Sequence, residues 1–213
     1  MWTNLTKPWQ VCFEQAWESY CNGSIPIGAV LVDNAENVVL VGRNRVYEKE
    51  TPYKQIGYSK IAHAEMNVLL QIDIDKYPNI RNYTLYTTME PCPLCFGAIV
   101  MSNVRKVKYA ARDRIAGSAN LNNGNDFIAS KSIKVYGPEI GLEEIQMTIK
   151  TDYVLKNWGA EAERLLTAWR QDCPKGIEIG EKWFTENRLQ LAKNKKVHIS
   201  VIVDEIEKEL RKL

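Results

Sequence analysis

His63-Ala64-Glu65, followed downstream by Pro91-Cys92-Pro93-Leu94-Cys95, is the pair of segments around which this chain is organised. The chain holds only two histidines, and one of them stands two residues before a glutamate. The Cys-x-x-Cys then supplies two thiolates. One imidazole and two sulfurs can hold a metal while the carboxylate stays off it. Three protein ligands and an open position is how zinc is held when it does chemistry, whereas four protein ligands close a structural site. Residues two apart do not share a helix face. His63 and Glu65 can therefore converge only where a helix begins and both side chains reach past its end. Met66, Leu69 and Leu70 mark that helix over residues 62–71. Cys92 and Cys95 are three apart and share a face of a second helix, Cys92 to Ser102, opened by Pro91. Its N-terminal dipole favours thiolate over thiol. The spacing predicts two helix starts flanking one metal.

Outward from these segments, residues 8–22 carry Trp9, Phe13, Ala16, Trp17 and Tyr20 at helical spacing. Trp2, Trp9 and Trp17 could form a stacking surface for bases, but a helix packing its apolar face on a sheet explains them more simply. Residues 27–33 and 38–42 read as strands of a hairpin turning at Asn34 to Asn37. Gly28 weakens the first strand unless a backbone or ligand comes close there. Residues 43–60 are polar, contain Pro52 and Gly57, and read as a loop. Strands follow at 83–88, 106–110 and 131–136. This order implies a layered sheet with helices on both faces. Beyond Gly137 the pattern is wholly helical, over 142–149, 152–171, 181–194 and 199–213, with an interruption at Cys173-Pro174-Lys175-Gly176. Ile199, Ile202, Val203, Ile206, Leu210 and Leu213 form one stripe, expected to dock on the body or on a partner.

With 213 residues the chain can bury a core without staples. A net charge of +2 gives no strong push toward nucleic acid. Its five cysteines form no regular framework. No leader pattern opens the chain and no apolar stretch approaches a membrane span. A soluble cytoplasmic protein with reduced thiols and no membrane partner is the expectation. Each metal-site residue has a plainer explanation when taken alone. The cysteines could be a redox pair, His63 a structural histidine, and Glu65 a carboxylate on a helix dipole. His198, beside Lys195 and Lys196, reads as a surface histidine rather than a further ligand.

His-x-Glu followed by Pro-Cys-x-x-Cys is the signature of zinc-dependent base deaminases. The chain resembles the cytidine deaminase-like superfamily, in the branch of bacterial tRNA adenosine deaminases and guanine deaminases. The resemblance is carried by Pro26 to Val32, Gly42-Arg43-Asn44-Arg45, Ala62 to Glu65, Leu85 to Cys92, Cys95 to Ala98 and Ala111-Arg112-Asp113. It implies an α/β fold, a three-layer α-β-α sandwich with a five-stranded mixed sheet. Residues 1–136 would be a zinc-dependent deaminase core, and 137–213 a helical extension packed on the core or on a partner subunit. It implies Zn2+ on His63, Cys92 and Cys95, with Glu65 moving protons between water, ring nitrogen and departing amine. Asn44, the backbone N–H of Ala64, Ile27 and Pro91 would contact the base. A homodimer is implied as well.

The family's tRNA enzymes commonly place proline where this chain has Val46, and Asp-Pro-Thr where it has Ser59-Lys60-Ile61. The intervening loop is also longer here. Lys193, Lys195 and Lys196 lie near Glu205, Glu207 and Glu209, the mixed charge of a solvated helix. Arg105, Lys106, Lys108, Arg112 and Arg114 form a basic stripe, which a solvent-facing strand end also explains. The expected substrate is therefore a free purine base or nucleoside, of adenine/adenosine or guanine type. Adenosine in tRNA is the alternative, and a cytosine or cytidine type comes third. Outside catalysis, a non-catalytic zinc module would need a fourth protein ligand, and a silent partner subunit would not need Glu65.

Overall fold

A computed structural model describes all 213 residues. Its centre is one five-stranded sheet of β1 (Gly28–Val32), β2 (Val38–Arg43), β3 (Thr84–Met89), β4 (Lys106–Ala111) and β5 (Lys134–Tyr136). The strand order is β2-β1-β3-β4-β5. β1 runs antiparallel to β2 and β3, while β3, β4 and β5 are mutually parallel. The expected five-stranded mixed sheet between helical layers is what forms. Every residue of β1 and β3 is buried, as befits strands covered on both faces. Val30 and Val32 point toward the layer of α1 (Lys7–Cys21). Ala29 and Leu31 point toward α2 (Ala64–Leu69) and α3 (Pro93–Met101). The hairpin turn is closed by Asp33, whose Oδ1 accepts the N–H groups of Ala35 and Asn37 at 2.8 and 2.9 Å.

Two glycines set how closely the helical layers approach. A Cβ on Gly28 would lie 2.1 Å from the Cys12 carbonyl oxygen of α1 and 2.6 Å from the Ala16 nitrogen. A Cβ on Gly42 would lie 2.7 Å from both the Ala64 carbonyl oxygen and the Val68 nitrogen of α2. Backbone approach thus accounts for glycine inside β1. Gly42 does the same for the helix that begins at the site. Trp9 and Trp17 are buried under α1, with Trp9 edge-on to Tyr86 and Trp17 Nε1 donating to the Val197 carbonyl. They serve packing rather than a base-stacking surface.

The helical boundaries differ from the sequence pattern in several places. α3 starts at Pro93, not Pro91, because Pro93 takes the first helical position and leaves Cys92 as the cap. α2 is shorter than 62–71, with His63 as its cap. The expected break between 149 and 152 is absent: α5 (Leu142–Asn157) runs through it and ends at Trp158-Gly159, where Gly159 has φ +50. α6 (Glu161–Trp169) follows. Pro174 opens α7 (Pro174–Thr185) instead of interrupting, and Asn187 at φ +55 separates it from α8 (Arg188–Asn194). Glycines inside α7 are there for contact: a Cβ on Gly180 would meet the Thr151 Cβ of α5 at 2.5 Å. α9 (Ile199–Leu210) buries Ile199, Ile202, Val203 and Ile206 against its own chain, while Leu213 lies beyond the helix and is exposed. The small helix α4 (Asp126–Ser130) lies before β5. Apolar residues of α5, α6, α7 and α9 join those of α1 and the sheet in one continuous cluster.

Because α2 presses on β2 with no room for a methyl group, Gly42→Ala must displace it. About 1–3 kcal/mol of overpacking is expected, lowering Tm by about 2–10 °C and weakening zinc binding. Calorimetry checks this, and an unchanged Tm would mean the helix does not sit this close.

Candidate active site

His63 caps α2 with extended backbone angles, φ −78 and ψ 160. Its ring therefore leaves the helix end, while Glu65 sits one step inside the first turn. That is how residues two apart reach one point. Cys92 caps α3 in the same extended way, and Cys95 occupies the first turn behind it. β3 lies between these helix starts, with Thr87 pointing between them. Its hydroxyl donates to Glu65 Oε1 at 3.0 Å. His63 Nδ1 lies 3.5 Å from Cys92 Sγ and 3.4 Å from Cys95 Sγ. The three ligand atoms all lie within 4.8 Å of one another. Tetrahedral zinc with its usual Zn–S and Zn–N lengths puts nitrogen and sulfur about 3.5 Å apart. The donor set fits that ion in type and spacing.

Glu65 stays outside the ligand set and is 3 % exposed. Burial pushes its carboxyl above the usual range, opposed mainly by the nearby His63. An upward shift of this kind suits a carboxyl that takes and returns protons. Cys92 is pulled down to about 4, chiefly by hydrogen bonding from Cys95 and further by His63. Sharing that proton with Cys92 drives the Cys95 thiol upward, and burial adds to this. A metal ion at this point deprotonates coordinating thiols outright. His198, by contrast, lies in the cap of α9, where its Nδ1 accepts the Ser200 N–H at 3.2 Å.

A cavity of about 210 Å³ opens over these groups. His63, Glu65, Cys92, Cys95, Asn44 and Ile27 all line it. Asn44 is 1 % exposed, and its Oδ1 accepts the Val46 N–H at 3.2 Å, leaving its NH2 as the donor on that wall. Two other expected contacts stand behind the wall. Ala64 is wholly buried in the cluster under α2, so only its first-turn N–H can face the site. Pro91 is buried with its carbonyl accepting the Ser118 N–H, and it does not line the cavity.

Among the lining residues given no role from the sequence are Glu90, Asp113, Lys150 and Trp158. Glu90 accepts the N–H groups of Asp113 and Ala119 at 3.2 and 3.1 Å, fastening the loop after β4. Asp113 accepts the Ile115 and Ala116 N–H groups and Trp169 Nε1. Lys150 comes from the middle of α5 and is 5 % exposed. Burial lowers its pKa against the opposing pull of Asp113, Glu65 and Cys92. Its only sequence signal is a lysine inside an otherwise buried helical run.

Comparison with known proteins gives this site its lineage. Residues 3–111 match the family described as the cytidine and deoxycytidylate deaminase zinc-binding region. The tRNA-specific adenosine deaminase of Haemophilus influenzae is 35% identical over 117 residues, covering 53% of this chain and 61% of that protein. The cytosine deaminase of Candida albicans is 30% identical over 115 residues, covering 54% of this chain and 71% of that protein. A structure of the guanine deaminase from Nitrosomonas europaea superposes with a TM-score of 0.55 at 22% identity, over 70% of this chain and 84% of its own, a likeness of fold. The matched span contains His63, Glu65, Cys92 and Cys95 and ends at the last residue of β4. The chain belongs to the cytidine and deoxycytidylate deaminase zinc-binding family.

Proposed function

We propose that the protein is a hydrolytic deaminase that exchanges the exocyclic amine of a small base for oxygen, releasing ammonia. The observation that carries this is Glu65: buried, oriented by Thr87, beside three zinc-type ligands yet not one of them. His63, Cys92 and Cys95 would hold a zinc ion, which would supply a water acidic enough to attack near neutral pH. Glu65 accepts the first proton from the attacking water and delivers it to the ring nitrogen beside the amine-bearing carbon. It then carries the second proton to the departing amine, so water and base become an oxo product and ammonia. Asn44 holds the base from the side through its NH2. No fourth ligand accompanies the three, which speaks against a structural zinc module.

A free purine base or nucleoside is the preferred substrate. The cavity is small, and α5 and Trp158 of the C-terminal segment form part of its walls. The basic stripe of Arg105, Lys106, Lys108, Arg112 and Arg114 is largely engaged within the chain. Arg112 and Arg114 pair with Asp172, Lys108 donates to Tyr86, and Arg105 donates to Asn103. Similarity to the Haemophilus tRNA enzyme keeps tRNA adenosine as the second reading. On this proposal residues 1–136 form the catalytic core and 137–213 a helical extension packed on it. Exposed apolar side chains at Leu70, Leu94 and Met101, on or beside α2 and α3, support a homodimer.

Glu65→Ala should leave folding and zinc content intact while turnover falls by about 10²–10⁴-fold; near-full activity would sink the mechanism. Cys92→Ser should lose most bound zinc by elemental analysis. Chelation should likewise abolish ammonia release until zinc is restored, and activity that survives chelation would rule out a metal-dependent reaction. Assays on adenosine, guanine, guanosine, cytosine, cytidine and an anticodon stem-loop distinguish the substrates.

A further inference from the structure

We infer that Lys150 determines specificity by donating a hydrogen bond to an exocyclic oxygen of the base, so that the substrate is an aminated heterocycle that also bears a ring carbonyl. This rests on the deaminase proposal above. The residue is nine-tenths buried, yet it lines the same cavity as Glu65 and Cys92. No protein group lies within hydrogen-bond or ion-pair distance of its Nζ, and the face of Trp169 lies 5.3 Å from Nζ to the ring centre. Both Glu90 oxygens hold backbone amides, and Asp113 holds the loop and Trp169 through Oδ1, with neither carboxylate in an ion pair with Lys150. Its Nζ opens onto the cavity rather than being sealed in, so a ligand that fills the cavity and displaces solvent must supply this donor with an acceptor.

The chemistry of the reaction selects the ligand. Attack at the amine-bearing carbon drives electron density onto the conjugated heteroatoms of the ring. A carbonyl oxygen in conjugation takes up much of it, and a fixed donor aimed there stabilises the transition state. Both the ammonium and the neutral amine of Lys150 can donate, so its protonation state does not decide the contact. A second amino group in the oxygen's place, as in 2,6-diaminopurine, would set donor against donor. A plain C–H would leave the lysine unpaired. Sites built around a buried hydrogen bond discriminate strongly against analogues that cannot make it. Lys150 lies on α5, outside the family-matched span of residues 3–111, so the donor belongs to this chain's own C-terminal segment.

The test compares zinc-loaded wild type with Lys150→Met and Lys150→Arg, measuring ammonia release from guanine, cytosine, 2-aminopurine, adenine and their nucleosides. Tm and zinc content are measured alongside. Wild type should favour the carbonyl-bearing bases. Lys150→Met should lower kcat/KM for those by about 10- to 100-fold while barely changing 2-aminopurine and adenine. Lys150→Arg should recover part of the preference, and Lys150→Leu replaces the methionine variant if that one fails to fold. If the wild type prefers adenine or 2-aminopurine, or Lys150→Met slows every base equally, the inference is overturned and the deaminase proposal stands. If zinc-loaded wild type releases ammonia from none of them, the small-base reading fails and takes the inference with it.

Discussion

The site depends on two helices beginning at the same place. α2 and α3 lie on one face of the sheet, and each delivers a capping residue, His63 or Cys92, with extended backbone angles. Neither helix could do this from a looser layer. The absence of a side chain at Gly42 lets α2 settle against β2, and this fixes where Glu65 meets Thr87. Ligand spacing at the ångström level thus follows from how tightly a helix sits on a strand. Dipoles at both helix starts favour negative charge there, which suits sulfurs that must give up their protons to a metal.

The second constraint comes from the opposite layer. α5 is buried along most of its length, and it brings Lys150 to the cavity while its apolar positions join the cluster beneath the sheet. α7 crosses it so closely that glycines stand where side chains would collide. Glu90 and Asp113 pin the loop after β4, and Trp169 of α6 donates to Asp113. The wall of the cavity is therefore assembled from the last strands, that loop and the C-terminal helices together.

Much of the metal-binding half was legible in the sequence, because its geometry is local. A spacing of two at a helix start, or of three within a first turn, fixes directions without knowledge of the rest of the fold. The same locality made the hairpin readable at Asp33 and the covered strands readable as apolar runs. Lys150 was not legible: its meaning comes from contacts with loops dozens of residues away. The break at 149–152 misread polar residues as punctuation, and the real break before Pro174 was drawn too far into α7. Thr151, Gly176 and Gly180 are instead where α5 and α7 touch. Pro93 and Pro91 were confused for a related reason, since either can open a helix and only packing selects one.

Trp169 joins two parts of the molecule that do different things: its ring covers Lys150, its indole nitrogen holds Asp113, and its body lies in the cluster with α7 and α9. On the proposed function and the inferred role of Lys150, the hydrolytic groups and this further donor sit in separate stretches of the gene. Descendants could exchange the tail, inherit the reaction unchanged, and acquire a new diet.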